Sequence, residues 1–248
     1  MHPPCQQTRT SASKRARRAI PVVFSVHRIR RTAAVTTRIG LLVVGATLIA
    51  TGAAVTLWTG LGAGPMDVLI SAINTRTGLA VPFVVWIVSG TLMSVATLIG
   101  RRPGLGTFLA PLIVGPVLGL IRSVLATVPP PSQTAAIAWH LAGVATIGIG
   151  AGSLIVAGLG SGTGELLAGA TARRTGRREP HVRAGLEMTW LSLGLLLGGP
   201  FGVGTLIVAI MIGPAVANGS RLVHKATSRP VRRIRTAWAS DVDFATAA

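Results

Sequence analysis

Long stretches almost empty of charge constrain this chain more than any other feature. A helix that crosses a bilayer needs about 20 mostly apolar residues. No charged residue stands in 39–66, 77–100 or 103–121. Further spans are read at about 137–157, 184–197 and 203–223. The first span ends where Trp58 meets the run Gly60-Leu61-Gly62-Ala63-Gly64-Pro65, and the second and third are parted by Arg101-Arg102. Between the third and fourth, Val128-Pro129-Pro130-Pro131-Ser132 cannot continue a helix, because consecutive prolines lack N–H donors and push preceding residues toward extended backbone. Six spans follow.

The charge balance bears on partners and on orientation. Of 248 residues only 12% are charged, against about a quarter in soluble domains. The net charge of +18 raises nucleic acid as a partner. Placement argues against it: the bases crowd into the two ends and two interior clusters, the pattern of cytoplasmic flanks on membrane helices. With no tyrosine and 4% aromatic residues, platforms for stacking bases are not expected either. Six spans put 22 of the 24 bases on one side and leave Arg76 and Arg122 on the other. Both termini are therefore read as cytoplasmic, in a bacterial cell membrane. Residues 1–37 read as a basic, disordered cytoplasmic arm attracted to anionic inner-leaflet lipid, with an over-long gene start as the alternative. Residues 226–248 read as a similar tail. Cys5 is the only cysteine, so neither an intrachain disulfide nor a cysteine metal site is available.

A fixed offset of 98 residues runs through the apolar region. Gly60-Leu61-Gly62-Ala63-Gly64 recurs as Gly158-Leu159-Gly160-Ser161-Gly162, Arg76-Thr77-Gly78 as Arg174-Thr175-Gly176, Gly106-Thr107 as Gly204-Thr205, and Gly115-Pro116 as Gly213-Pro214. Aligned without a gap, 40–116 and 138–214 share 24 of 77 positions. Each half holds three spans, and an odd number reverses the second half with respect to the membrane. The fold class expected is thus all-α integral membrane, with six transmembrane helices as two inverted-topology three-helix repeats, an arrangement common among secondary transporters. Repeat 1 is read at 38–128, a Pro-rich external linker at 129–136 and repeat 2 at 137–225. In each half a short segment, 65–75 or 163–173, follows the first span. Eleven helical residues rise about 16 Å, half a bilayer, so these are expected to be re-entrant or interfacial half-helices. Pro65 suits a first helical position, and Asp67 and Glu165 suit the first-turn dipole.

Gly-Leu-Gly-Ala-Gly-Pro-Met-Asp at 60–67, then Thr77-Gly78, Arg102-Pro103-Gly104-Leu105-Gly106-Thr107 and Gly115-Pro116, resembles the signature of the YczE/YyaS/YitT-type bacterial integral membrane proteins. The resemblance covers about 38–223. It departs from the family pattern at Met66, where many relatives carry Trp, and the second half has Thr163-Gly164-Glu165 without the proline. The resemblance implies a multi-span protein of poorly defined activity, with one member linked to production of a peptide secondary metabolite. It supplies no mechanism or substrate.

Asp67 and Glu165 are the most informative polar residues, since a carboxylate in or beside a membrane core is costly and usually has a task. The bland reading is that they cap the half-helices near the headgroups. The functional one is a cation or proton site, or an anion site if Arg76 and Arg174, nine residues further on, fold back to neutralise the acids. The glycines lack the Lys-Ser or Lys-Thr of a phosphate loop. Gly60 with Gly64, Gly148 with Gly152 and Gly158 with Gly162 have the small-xxx-small spacing of close helix packing, or else they break helices and free backbone groups. Arg183 and Glu187 read as an interfacial ion pair, His140 as a headgroup-level side chain, and Pro111, Pro116 and Pro214 as kinks. No metal site, cofactor or catalytic triad is visible, and enzyme activity is not expected. The leading reading is a transporter-like protein that binds or moves an unknown small solute between the repeats. The alternative is a membrane-embedded scaffold that recruits a cytoplasmic protein; a homo-oligomer is compatible with both.

Overall fold

A computed structural model describes residues 35–245, with side chains through residue 227. Residues 1–34, and with them most of the expected basic arm, lie outside the described residues. The order is α1 (Val35–Trp58), α2 (Pro65–Thr77), α3 (Val81–Leu98), α4 (Leu105–Leu125), α5 (Gln133–Ala157), α6 (Thr163–Thr175), α7 (Glu179–Leu196) and α8 (Val203–Ala245). Among the described residues there is no strand. Among the described residues five helices are long and apolar enough to cross a membrane: α1, α3, α4, α5 and the first part of α8. The chain is an all-α, multi-pass membrane protein. Large apolar side chains such as Leu98, Leu196 and Ile210, 75–85% exposed, form an outer surface suited to lipid. The segment expected as the fifth span is helical as α7, but its 18 residues include Glu179, Arg183 and Glu187, and these separate it from the other five. Helix α8 continues past the boundary read at residue 226, to Ala245.

The 98-residue offset recurs in the backbone. Helices α2 and α6 each have 13 residues, α3 and α7 each have 18, and all four starting positions in the second half are displaced by 98 from those in the first. The eight glycines with positive φ form four pairs at the same offset: Gly60 and Gly158, Gly62 and Gly160, Gly78 and Gly176, Gly100 and Gly198. At Gly160, φ of +155° and the nearness of Thr107, whose Oγ1 would lie 2.7 Å from an added Cβ, both favour the residue without a side chain.

Helices α1 and α5 cross at the centre of the bundle through small residues. A Cβ on Gly45 would stand 2.7 Å from the Gly150 carbonyl oxygen, and one on Gly52 2.5 Å from that of Gly143. Ala46, Ala50, Ala53 and Ala54 are buried alongside. Without a hydrophobic driving force between helices in lipid, such close backbone approach supplies the packing. On its other face α5 sets Gly148 against Ala215 and Gly152 against Ser220 of α8. The small-xxx-small reading therefore applies to Gly148 and Gly152. Gly60 to Gly64 and Gly158 to Gly162 lie instead in the chain breaks between helices.

Each break is tied to the opposite half. The Gly106 N–H donates to the Leu159 carbonyl at 2.9 Å and the Gly204 N–H to the Leu61 carbonyl at 2.7 Å, so the start of α4 holds the break after α5 and the start of α8 holds the break after α1. The Thr107 hydroxyl donates to the Ser161 carbonyl at 2.7 Å. Its counterpart Thr205 is buried with its hydroxyl lacking a hydrogen-bond partner. In this way backbone groups freed by the interruptions are taken up inside protein, as lipid requires.

Candidate functional site

Asp67 and Glu165 occupy the same position on matching short helices. Gly64 and Gly162 are the N-caps, both in extended conformation, and Pro65 opens α2 where Thr163 opens α6. The acids are therefore third in their helices. Each carboxylate turns back over its own cap: a Cβ on Gly64 would lie 3.1 Å from Asp67 Oδ2, and one on Gly162 would collide with Glu165 Oε2. A negative charge there answers the positive end of the helix dipole. The two first turns also meet. A Cβ on Gly164 would lie 3.4 Å from Met66 Cε and 2.9 Å from Trp190 Cη2.

Both acids line one cavity of about 260 Å³. Twenty-two of its 26 lining residues form 11 pairs at the 98-residue offset, such as Ile49 with Ile147, Val114 with Ile212 and Leu118 with Val216. The wall is mostly apolar and shared by the two halves. Its polarity is unequal. Where the first half contributes Val85 and Ser89, the second contributes Arg183 and Glu187. Arg183 reaches Glu165 Oε1 through Nη1 at 3.1 Å and Glu187 Oε1 through Nε at 2.9 Å. Asp67 has no arginine at such a distance. The charge of Arg122 acts on it from farther away, and Arg122 Nη1 is itself buried without a hydrogen-bond partner.

Arg76 and Arg174 do not join the acids. The Arg76 Nε donates to the Leu197 carbonyl at 2.9 Å, Arg174 is exposed, and neither lines the cavity. Nine residues of helix advance about 13 Å, which carries both arginines to the far ends of α2 and α6, where a cation suits the dipole. The Arg183–Glu187 pair expected at an interface forms as the spacing predicts, but it is part of the cavity wall. Mapping Val85 and Ser89 across the repeat was the signal that could have placed it there. His140, expected at headgroup level, is fully buried. Its Nδ1 lies 3.1 Å from Thr59 Oγ1 and its Nε2 lies 3.0 Å from the Gly204 carbonyl oxygen, joining the break after α1 to α8.

The glycine-proline pairs diverge. Gly115 is buried against Pro82 and Trp86, closing α4 onto α3 beside the cavity, whereas Gly213 faces open space. Pro116 and Pro214 are both exposed on their helices.

Residues 36–220 match the family of unknown function DUF6198. The chain belongs to this family. An uncharacterized protein of Haemophilus influenzae is 29% identical over 178 residues, covering 72% of this chain and 81% of that relative. The uncharacterized membrane protein YczE of Bacillus subtilis is 30% identical over 154 residues, covering 62% of this chain and 71% of YczE. The resemblance read from the glycine, proline and acidic motifs is thus shown by the matches. No solved structure matches the chain.

Proposed function

We propose that this protein is a six-span, transporter-like membrane protein that binds and moves a small solute at the junction of two inverted repeats, with both termini cytoplasmic. The carrying observation is the cavity whose wall repeats at the 98-residue offset and includes Asp67 and Glu165. A site built from equivalent residues of two halves, beside the starts of interrupted helices, is where transporters of inverted-repeat design hold their solutes. In this reading α7 is a true span, and its charges face the cavity rather than lipid, the usual arrangement for ionisable residues at membrane depth.

The halves differ in a manner that suits alternating access. Helices α3 and α4 are closed where Gly115 and Gly119 pack on Pro82. The equivalent Pro180 is exposed and Gly213 has open space around it. The proposed exchange closes α8 on α7 near Pro180 while α4 parts from α3. A scaffold would be favoured by an interior filled with apolar side chains and acids at the headgroups.

The test uses Ser89→Cys, a cavity position, in a Cys5→Ser background. A membrane-impermeant thiol reagent is applied to intact cells and to inverted vesicles. Labelling from both faces is the expected result. Labelling from one face alone, or from neither, contradicts alternating access.

A further inference from the structure

We infer that the cavity takes a small organic cation, a protonated amine on an apolar body. This assignment deepens the solute-site reading and rests on it. The starts of α2 and α6 would by themselves attract an anion. Asp67 and Glu165, folded back over Gly64 and Gly162, already meet that demand from within the protein. What remains in the wall is an excess of negative charge: Asp67, Glu165 and Glu187 against Arg183. The arginine is committed to both glutamates, at 3.1 and 2.9 Å. Asp67 is left as the carboxylate without a hydrogen bond or ion pair among the described residues, and Arg122, which offsets it from a distance, is outside the wall.

A carboxylate set in a mostly apolar wall is solvated less well than one in bulk water, so a bound cation there gains a partner that the wall does not supply. An anion would meet the same three carboxylates with the one cationic group of the wall already engaged. The remaining lining, with Ile70, Val114, Leu118 and Ile147, suits a hydrocarbon body. At about 260 Å³ the space lies just below the usual range of small-molecule pockets, about 300–1,000 Å³, which favours a compact ligand.

Three compounds sharing one phenylethyl body isolate charge as the variable: 2-phenylethylammonium, zwitterionic phenylalanine and 3-phenylpropanoate. Binding to the purified full chain is read by thermal unfolding and by titration calorimetry, in wild type, Asp67→Asn and Asp67→Glu. The expected result is stabilisation by 2-phenylethylammonium, with affinity at least about tenfold above that of either other compound. Asp67→Asn removes the response while unfolding cooperatively without ligand, and Asp67→Glu restores it. Equal or stronger binding of 3-phenylpropanoate or phenylalanine overturns the cation assignment, as does a response that survives in Asp67→Asn. Absence of binding by all three also overturns it. In each of those cases labelling of Ser89→Cys from both faces would leave the solute-site reading standing, and its loss would remove both.

Discussion

Thr107 and Thr205 stand third in α4 and α8, 98 residues apart. The repeat makes them equivalent, yet Thr107 donates to Ser161 while the Thr205 hydroxyl is buried without a partner. Thr107→Val should lower stability by about 1–3 kcal/mol, because the Ser161 carbonyl loses its donor. Thr205→Val should be neutral or stabilising, since a shape-matched apolar group replaces an unsatisfied one. Unfolding of both variants in detergent checks the pair; equal losses would mean that Thr205 has a partner. At the acids, Asp67→Asn and Glu165→Gln keep shape and remove charge. The solute-site account expects each to impair the same ligand response while insertion is retained, whereas simple dipole caps would lose only about 0.3–1 kcal/mol of stability. The pairing of Asp67 with Glu165 was legible because both follow a repeated glycine run. The bond from Arg183 to Glu165 was not, because it joins residues 18 apart on separate helices, a relation that helical spacing does not encode.

The short helices were read almost to their bounds, 65–75 and 163–173 against Pro65–Thr77 and Thr163–Thr175. Their punctuation is local: a glycine N-cap, a proline or threonine at the first position, and Gly78 or Gly176 in left-handed conformation at the end. Helix α7 was harder. The span read at 184–197 is helical from Glu179 to Leu196, because Pro180 begins the helix before the apolar run does. Seam and open face were also indistinguishable at the level of glycine counts. Gly152 meets the Ser220 backbone, while Gly213 meets nothing within 4 Å. Gly152→Leu should therefore part α5 from α8 and cost about 1–3 kcal/mol or more. Gly213→Ala should be tolerated, with a gain of up to about 1 kcal/mol from helix propensity. Thermal unfolding of the two variants separates these outcomes; equal sensitivity would mean that α8 is packed at Gly213.

At the scale of the whole molecule, the 98-residue offset links sequence, backbone and cavity. An apolar pattern shows that helices exist but leaves their neighbours open; the repeated glycines, prolines and acids added the offset and the starts of the short helices, while the α1–α5 and α5–α8 seams came only with the structure. In the proposed six-span arrangement the even number puts both termini on one side, and the basic flanks assign that side to the cytoplasm. Reporter fusions at the two termini should fall on the same, cytoplasmic side, and a tag between Pro129 and Pro131 on the other. Opposite locations for the termini would mean that α7 does not cross, and the inverted arrangement would fail with it. The starts of α2 and α6 meet, and Asp67 and Glu165 line one cavity. Intramolecular crosslinking of Met66→Cys with Gly164→Cys in the Cys5→Ser background, using a short bifunctional thiol reagent in membranes, checks that contact. Efficient crosslinking within one chain is expected, since Met66 Cε lies 3.4 Å from where a Gly164 Cβ would stand. Absence of that crosslink, with both cysteines individually reactive and a Trp58→Cys/Trp139→Cys pair between α1 and α5, where the two rings stand 6.1 Å apart, crosslinking normally, would show that the two starts do not meet.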